Sequence, residues 1–214
     1  PKLCSGEMKA AYCLTEPGSG SDALAAKTRA DLSADGKQYI LNGQKMWITN
    51  AGFADVFTVF AKIGGEQFTG FIVEARTPGI TLGAEEKKLG IKGSSTRQVF
   101  FENVAVPTEN VLGKIGHGHL IAFNTLNIGR FKLGTMAMGG SKKSISIAVK
   151  YANERIQFGQ PIAQFGAIKH KLGEMGAIIF ALESAIYRLS DMMGKLKDEL
   201  TAAGSSFEQA MLDA

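Results

Sequence analysis

The sequence lacks the features that mark several large classes of protein. Two cysteines in 214 residues, Cys4 and Cys13, are too few for a disulfide framework and fit a reducing compartment. No apolar run reaches the roughly 18 to 20 residues that span a bilayer, and no secretory signal is visible at the start. Basic residues are not interleaved with aromatic ones, which argues against nucleic acid as a partner.

What is present is typical of a globular protein, with 45% hydrophobic and 21% charged residues. The net charge of +4 suits phosphate-bearing ligands, but scattered surface lysines explain it equally well. The length suits one large domain or two small ones. Because the chain begins at Pro1 and the helical pattern of 207–214 runs to its last residue, we expect a piece of a longer protein.

Residues 1–112 carry short apolar runs separated by turn residues, with no long helical stretch between them. This pattern predicts an antiparallel β-sandwich or barrel. Asp35-Gly36 and Asn42-Gly43 predict hairpin turns. The predicted strands are 38–41, 46–49, 55–61, 68–73, 80–82, 98–101 and 103–106.

Residues 113–214 have the period of helices. After a glycine-containing linker at 113–118, apolar residues recur at three- and four-residue steps through 120–154 and 163–197, with a loop at 157–162. A third helix is predicted to start after Gly204, capped by Ser205 or Ser206. The fold class is therefore a multidomain α+β protein. Its truncated helical part should leave apolar faces that pair with another copy or with further segments.

The stretch from Tyr12 to Asp22 has the most specific chemistry in the chain. A short apolar run stops at Pro17, and a turn with two glycines and two serines follows. Glycines let a backbone approach a ligand closely, and hydroxyls with free N–H groups suit a phosphate or a polar ring edge. A strand that ends in a ligand loop is one interpretation, and an ordinary Gly/Ser turn is the other.

Thr15-Glu-Pro-Gly-Ser-Gly-Ser-Asp22 resembles the first signature of the acyl-CoA dehydrogenases, flavoenzymes that desaturate acyl thioesters. Lys45-Met-Trp-Ile-Thr-Asn50 and Glu154-Arg-Ile-Gln-Phe-Gly159 are similar to that family in the same order, and residues 157–166 lean towards its very-long-chain branch. The resemblance covers nearly the whole chain. It implies a middle β-domain at 1–112, which binds flavin and acyl-CoA, and the start of a C-terminal four-helix domain at 113–214.

The resemblance implies FAD as cofactor, bound between the β-domain and the C-terminal helices. Thr15 would bond the pyrimidine end of the flavin, Trp47 and Thr49 would lie near N5, and Arg155 would reach the pyrophosphate in a neighbouring subunit. Without the resemblance, Thr15 would be interpreted as a β-branched residue that fills a strand, Trp47 as a core residue and Arg155 as a solvated arginine at a helix end. Gly166 lacks the side chain that many members use for the adenosine. The implied cofactor contacts are Tyr12, Leu14, Thr15, Ser21, Trp47, Ile48, Thr49, Arg155, Gln157 and Phe158.

The substrate contacts implied by the resemblance are Ser21, Asn127 and Arg130. No catalytic residue is expected within this chain. A minority of the family places the base at the position of Gly129, which has no side chain, and the majority place it in a segment that would lie beyond residue 214. Glu16 belongs to the signature but is expected to be structural. No residue is predicted to bind a metal.

The predicted activity is α,β-desaturation of acyl-CoA in fatty-acid β-oxidation, with hydride transfer to flavin N5. The implied partners are acyl-CoA, an electron-transferring flavoprotein and further copies of the chain in a dimer or tetramer, in the bacterial cytoplasm or the mitochondrial matrix. The alternatives are an acyl-CoA oxidase or nitroalkane-type oxidase of the same fold, or a non-catalytic assembly factor. Alone, the chain should be inactive and bind FAD weakly.

Overall fold

We describe a computed structural model that covers residues 2–206 and 209–210, with no side-chain description for Ile128. The chain divides into two compact units, one up to Phe123 and one from Asn124. The predicted helix at 207–214 falls largely outside the described residues. No helix that they form is both long and apolar enough to cross a membrane.

The first unit is built on a β-sheet, preceded by the short helix α1 (Lys2–Ser5). Within the described chain the sheet has eight strands, in the order β6-β7-β3-β2-β4-β5-β8, and β1 pairs with β4. Strands β1 and β2 both run parallel to β4, whereas the other pairs are antiparallel. The sheet is thus mixed, and the purely antiparallel prediction was wrong in this detail. The strands are β1 (Ala10–Cys13), β2 (Arg29–Leu32), β3 (Gln38–Thr49), β4 (Val56–Ile63), β5 (Gln67–Glu74), β6 (Ile80–Leu82), β7 (Thr96–Pro107) and β8 (Val111–Leu112).

The core of this unit follows the two-residue period of its strands. On β4, Phe57 and Val59 enter the larger apolar cluster, whereas Phe60 lies in a second, smaller one. There the ring of Phe60 stacks on Phe68 at 5.6 Å and meets the edge of Tyr12 at 5.3 Å. Strand β1 therefore contributes Ala11 and Cys13 to the larger cluster, while Tyr12 and Leu14 pack against the second one.

The Asn42-Gly43 pair is not a turn, although Asp35-Gly36 is one, between β2 and β3. Asn42 and Gly43 lie inside β3, where its register against β7 shifts. A Cβ atom on Gly43 would come within 2.6 Å of Thr28 Oγ1. Glycine is required here because another segment packs onto the strand, and the turn prediction was wrong for that reason.

The second unit consists of two long helices. Helix α2 (Gly118–Glu154), whose first six residues belong to the first unit, is followed by α3 (Gly166–Ala202). They run antiparallel, with Lys142 Nζ 2.7 Å from Glu183 Oε1. The predicted loop at 157–162 is instead a small hairpin of β9 (Ile156–Gln157) and β10 (Gln160–Pro161), followed by a 3-10 turn.

Apolar side chains on both helices are exposed, as a truncated bundle should leave them. Examples are Leu133, Met136, Ile178, Phe180 and Leu182. What covers them stays a prediction. At the far end, Ser206 Oγ accepts a hydrogen bond from the Gln209 N–H at 3.1 Å, which confirms Ser206 as a helix cap.

Candidate functional site

The loop after β1 is closed by its own backbone. Glu16 and Ser19 exchange two backbone hydrogen bonds, of 2.9 and 3.1 Å, and Ser19 Oγ donates to the Asp22 carbonyl at 2.7 Å. The tip stays exposed, and the Ser21 hydroxyl has no partner within the described chain. This loop is therefore rigid at its base and open to a ligand at its tip.

The second predicted segment lies at a bulge in β3. The register of β3 against β7 shifts between Lys45 and Ile48, and Trp47 lies in the left-handed region with a φ of 57°. Trp47 is consequently 61% exposed, whereas Ile48 is only 2% exposed. Of the residues proposed to contact a cofactor, Ile48 is the one that the fold buries. Thr49 is exposed.

Hydrogen bonds join these two segments side by side. The Met46 N–H donates to the Thr15 carbonyl at 2.9 Å, and Lys45 Nζ donates to the Leu14 carbonyl at 3.2 Å. The half-buried Thr15 hydroxyl has no hydrogen-bond partner among the described residues. We call the exposed surface of Leu14, Thr15, Trp47 and Thr49 the ligand wall.

Tyr12, on β1 just before the wall, is half-buried and packs with Leu14 against the second apolar cluster. Its hydroxyl donates to the Ala122 carbonyl at 2.9 Å, and burial raises the pKa of Tyr12 to about 12. The phenol is therefore neutral at physiological pH and is already hydrogen-bonded within the first unit. Its contribution to a ligand would come through the ring.

A buried ion pair under the wall escaped prediction from the sequence. Lys45 is 0% exposed, and its Nζ lies 2.7 Å from Glu16 Oε1. The same carboxylate accepts hydrogen bonds from the Thr28 hydroxyl at 2.5 Å and from the backbone N–H groups of Lys27 and Thr28 at 2.6 and 3.1 Å. The two-residue period of β3, which turns Tyr39 and Leu41 inward, also turns Lys45 inward and would have called for a buried carboxylate.

The same contacts set the charge state of Glu16. Burial acts to raise the pKa of Glu16, but the Lys45 charge and the hydrogen bonds from Lys45, Thr28 and Lys27 outweigh it and lower the pKa. For Lys45, burial lowers the pKa, and the attraction of Glu16 offsets this in part. A general base needs a pKa raised towards the working pH. Glu16 is thus suited to a structural role.

The predicted residues of the second unit lie on the hairpin and on α2. Phe158 is at the hairpin tip with a φ of 51°, is 94% exposed, and meets the edge of Phe165 at 6.2 Å. Arg155 is exposed and has no ion pair within the described residues. On α2, Arg130 Nη1 donates to Asn127 Oδ1 at 2.8 Å. The structure therefore brings the two predicted substrate contacts of this helix together.

Glu85 fixes the loop at 83–95 against the end of the bulged strand. It accepts hydrogen bonds from Ser95 Oγ and Arg97 Nε, both at 2.7 Å, and from the Thr96 N–H at 3.0 Å. The Ser95 backbone carbonyl in turn accepts a hydrogen bond from the Asn50 N–H at 3.0 Å. The hydrogen bonds from Arg97, Ser95 and Thr96 lower the pKa of Glu85 from 4.5 to about 2.

We expect Glu85 to make this unit sensitive to acid. A carboxylate with a lowered pKa in the folded state stabilises fully above its unfolded value of 4.5, and this contribution is lost as the pH falls towards 2. Glu85→Gln should flatten the pH dependence of the unfolding temperature in that window. Glu66→Gln, an exposed turn residue without a hydrogen-bonded side chain in the described structure, should leave it unchanged. Equal acid sensitivity in both variants would contradict the assignment.

Together, these observations define a multidomain α+β protein whose first, sheet-based unit exposes the ligand wall. Residues 11–104 match the family "Acyl-CoA dehydrogenase, middle domain", and residues 116–208 match "Acyl-CoA dehydrogenase, C-terminal domain". The chain belongs to the acyl-CoA dehydrogenase family.

Individual relatives agree with this assignment. A probable acyl-CoA dehydrogenase of Bacillus subtilis is 53% identical over 94% of this chain, which covers 34% of the relative. The human mitochondrial very long-chain specific acyl-CoA dehydrogenase is 48% identical over 90% of the chain and 31% of the relative. A Bacillus anthracis acyl-CoA dehydrogenase crystallised with FAD is 53% identical with a TM-score of 0.87, over 99% of this chain and 36% of that one. The chain thus spans about a third of the length of these relatives.

Proposed function

We propose that this chain is part of an FAD-dependent acyl-CoA dehydrogenase that removes hydrogen from the α and β carbons of an acyl-CoA in fatty-acid β-oxidation. Residues 1–112 would bind the flavin and the acyl-CoA, and residues 113–214 would begin the C-terminal helical domain. The observation that carries the proposal is the Met46–Thr15 hydrogen bond of 2.9 Å, because it holds a free hydroxyl beside an exposed indole.

The chemistry of the ligand wall fits a flavin. An isoalloxazine is a flat aromatic system with polar edges, so it needs an apolar or aromatic surface and hydrogen-bond donors at its rim. Trp47 offers an exposed ring, and Thr15 and Thr49 offer hydroxyls that make no hydrogen bond within the described chain. FAD in the related B. anthracis crystal structure supports the same cofactor here.

When bound, FAD would supply the acceptor for the hydride that leaves the β carbon. The protein's part would be to hold the flavin ring and to stabilise the charge that develops on it. Thr15 would donate a hydrogen bond to the pyrimidine edge, where negative charge grows during reduction, and stabilise it electrostatically. Trp47 and Thr49, with Ile48 between them, would cover the region near N5 and exclude water from it. Tyr12 and Leu14 would support the ring from the β1 side.

The second unit would contribute to a neighbouring subunit. Arg155 is an exposed, permanently charged donor without an ion pair in the described residues, which suits a pyrophosphate. Gln157 and Phe158 on the same hairpin would contact that cofactor, and a homo-oligomer would follow. Ser21, Asn127 and Arg130 are proposed to contact the acyl-CoA. Phosphate-rich ligands of this kind also fit the net charge of +4.

The proton-abstracting base is proposed to lie outside these 214 residues. Glu16 is bound to Lys45 and Thr28 under the wall, and Gly129 has no side chain. This chain alone would then be inactive and would bind FAD weakly. The reduced flavin would pass its electrons to an electron-transferring flavoprotein. The bacterial cytoplasm is the proposed location, in line with the B. subtilis relative, and the mitochondrial matrix is the alternative.

The test is anaerobic reduction of the full-length protein by a long-chain acyl-CoA. We expect a yellow protein whose oxidised flavin absorbance bleaches on addition of the substrate, with 2-enoyl-CoA as the product and turnover sustained by an artificial electron acceptor. Rapid recolouring by oxygen would replace the proposal with an oxidase. A colourless full-length protein would overturn it and favour an assembly factor.

A further inference from the structure

Among the described residues, Lys45 is the largest fully buried side chain, and its ammonium is paired with the Glu16 carboxylate. Its ammonium lies 2.7 Å from Glu16 and 3.2 Å from the Leu14 carbonyl. Removing such a charge from water costs several kcal/mol, which its partners must offset. Replacement of a buried pair by apolar residues is often neutral or stabilising, so stability alone is a weak reason for this one.

The pair joins three separate segments of the chain. Glu16 binds the backbone of Lys27 and Thr28 just before β2, and Lys45 binds the Leu14 carbonyl just before Thr15. One residue further along β3, the Met46 N–H donates to the Thr15 carbonyl. Lys45 therefore binds the residues before and after Thr15, and Met46 binds Thr15 itself, so that both attach the loop after β1 to the bulge in β3.

The register of the bulge depends on the same anchor. Lys45 is the last residue of β3 in regular register with β7 before the shift, and Trp47 follows two residues later in a left-handed conformation. An aromatic residue rarely adopts that conformation without support from its surroundings. A fixed Lys45 defines where the shift begins, and hence which side chain turns outward.

We propose that Glu16 and Lys45 are positioning residues: their buried ion pair sets the placement of Trp47 relative to Thr15, and so shapes the wall that receives the flavin. The flavin part rests on the proposed function, whereas the placement of Trp47 does not. Neither residue touches the ligand. Each acts through the segment that it anchors.

The sequence offers a direct probe of this placement, because Trp47 is its single tryptophan. In the 214-residue chain, Lys45→Met should shift the emission maximum of Trp47 and change its quenching by acrylamide. In the full-length protein, the same substitution should weaken FAD binding roughly tenfold or more, the effect typical of removing a group that orients a ligand-holding residue. The double variant Glu16→Gln/Lys45→Met leaves no unpaired buried charge, so it keeps the test available if Lys45→Met does not fold.

A matched control separates positioning from stability. Val104→Ala removes part of a fully buried side chain from the main core, without a bond to the wall. It should lower stability while leaving Trp47 emission, quenching and FAD affinity unchanged. The proposal is overturned if Val104→Ala shifts the Trp47 signal as much as the double variant does, or if the double variant leaves the Trp47 signal at its wild-type value. A wild-type full-length protein that binds no FAD would refute the proposed function, and the Trp47 comparison would still decide the positioning.

Discussion

Gly43→Ala is expected to lower the free energy of unfolding of the first unit by about 1–3 kcal/mol, the usual cost of overpacking. The new Cβ atom would lie 2.6 Å from Thr28 Oγ1 and 2.8 Å from Thr28 Cα. Thr28 cannot withdraw cheaply, because its hydroxyl and N–H bind Glu16 and its carbonyl accepts from the Lys62 N–H at 2.8 Å. The strain would therefore spread into the buried ion pair.

Gly90→Ala is the matched control, because its Cβ would meet no atom within 4 Å. Its stability should stay within about 0.5 kcal/mol of wild type, as for most exposed substitutions. Urea unfolding of both variants, followed by the fluorescence of Trp47, measures the difference. If Gly43→Ala unfolds at the wild-type urea concentration, the close approach of β3 to Thr28 is wrong.

Gly43 also shows where a local sequence pattern fails to predict the structure. Asn-Gly predicts a turn because both residues tolerate left-handed backbone conformations, but a bulge and a close crossing of segments select the same residues. Asp35-Gly36, with no segment packed against it, is the turn that its sequence predicts. The distinction depends on Thr28, fifteen positions away in the chain, and no local window contains it.

Most strands could be read from the sequence, but β2 (Arg29–Leu32) and β8 (Val111–Leu112) were not predicted, and strand pairing could not be read at all. Alternating apolar residues mark β4 and β5 correctly, because the two-residue period reports a half-buried strand wherever it pairs. The parallel alignment of β1 with β4 joins Ala10 to Val56, and the two strands share residues in both apolar clusters. Such contacts arise from the whole sheet, so a local pattern predicts the elements without their order.

The helical part follows the same rule. The apolar period predicted helices at 120–154 and 163–197, and the structure has them at Gly118–Glu154 and Gly166–Ala202. The hairpin between them was predicted as a loop, since two-residue strands are too short to show a period. For the candidate site, the signatures supplied its residues. The exposure of Trp47 beside a buried Ile48 required the register shift, which only the pairing with β7 reveals.

Substitution of Trp47 should give the second large effect, and it should act differently on stability and on FAD affinity. Its left-handed conformation costs about 1–2 kcal/mol for a residue with a side chain and little for glycine. Both Trp47→Gly and Trp47→Ala remove the mostly exposed indole, but only the glycine variant relieves the backbone. We therefore expect Trp47→Gly to be more stable than Trp47→Ala by about 1 kcal/mol in urea unfolding, measured by circular dichroism because the tryptophan is gone.

Ligand binding should not follow that order. If the indole is the surface on which the flavin rests, both variants of the full-length protein should lose FAD affinity alike, by about tenfold or more for a stacking contact of 1–3 kcal/mol. Titration of the apoprotein with FAD measures this. An alanine variant as stable as the glycine variant would contradict the bulge geometry, whereas wild-type affinity in both would remove Trp47 from the flavin site. A glycine variant that is more stable than the alanine variant, with FAD affinity lost in both, would mean that the bulge is kept for its ligand, since the backbone alone would prefer glycine there.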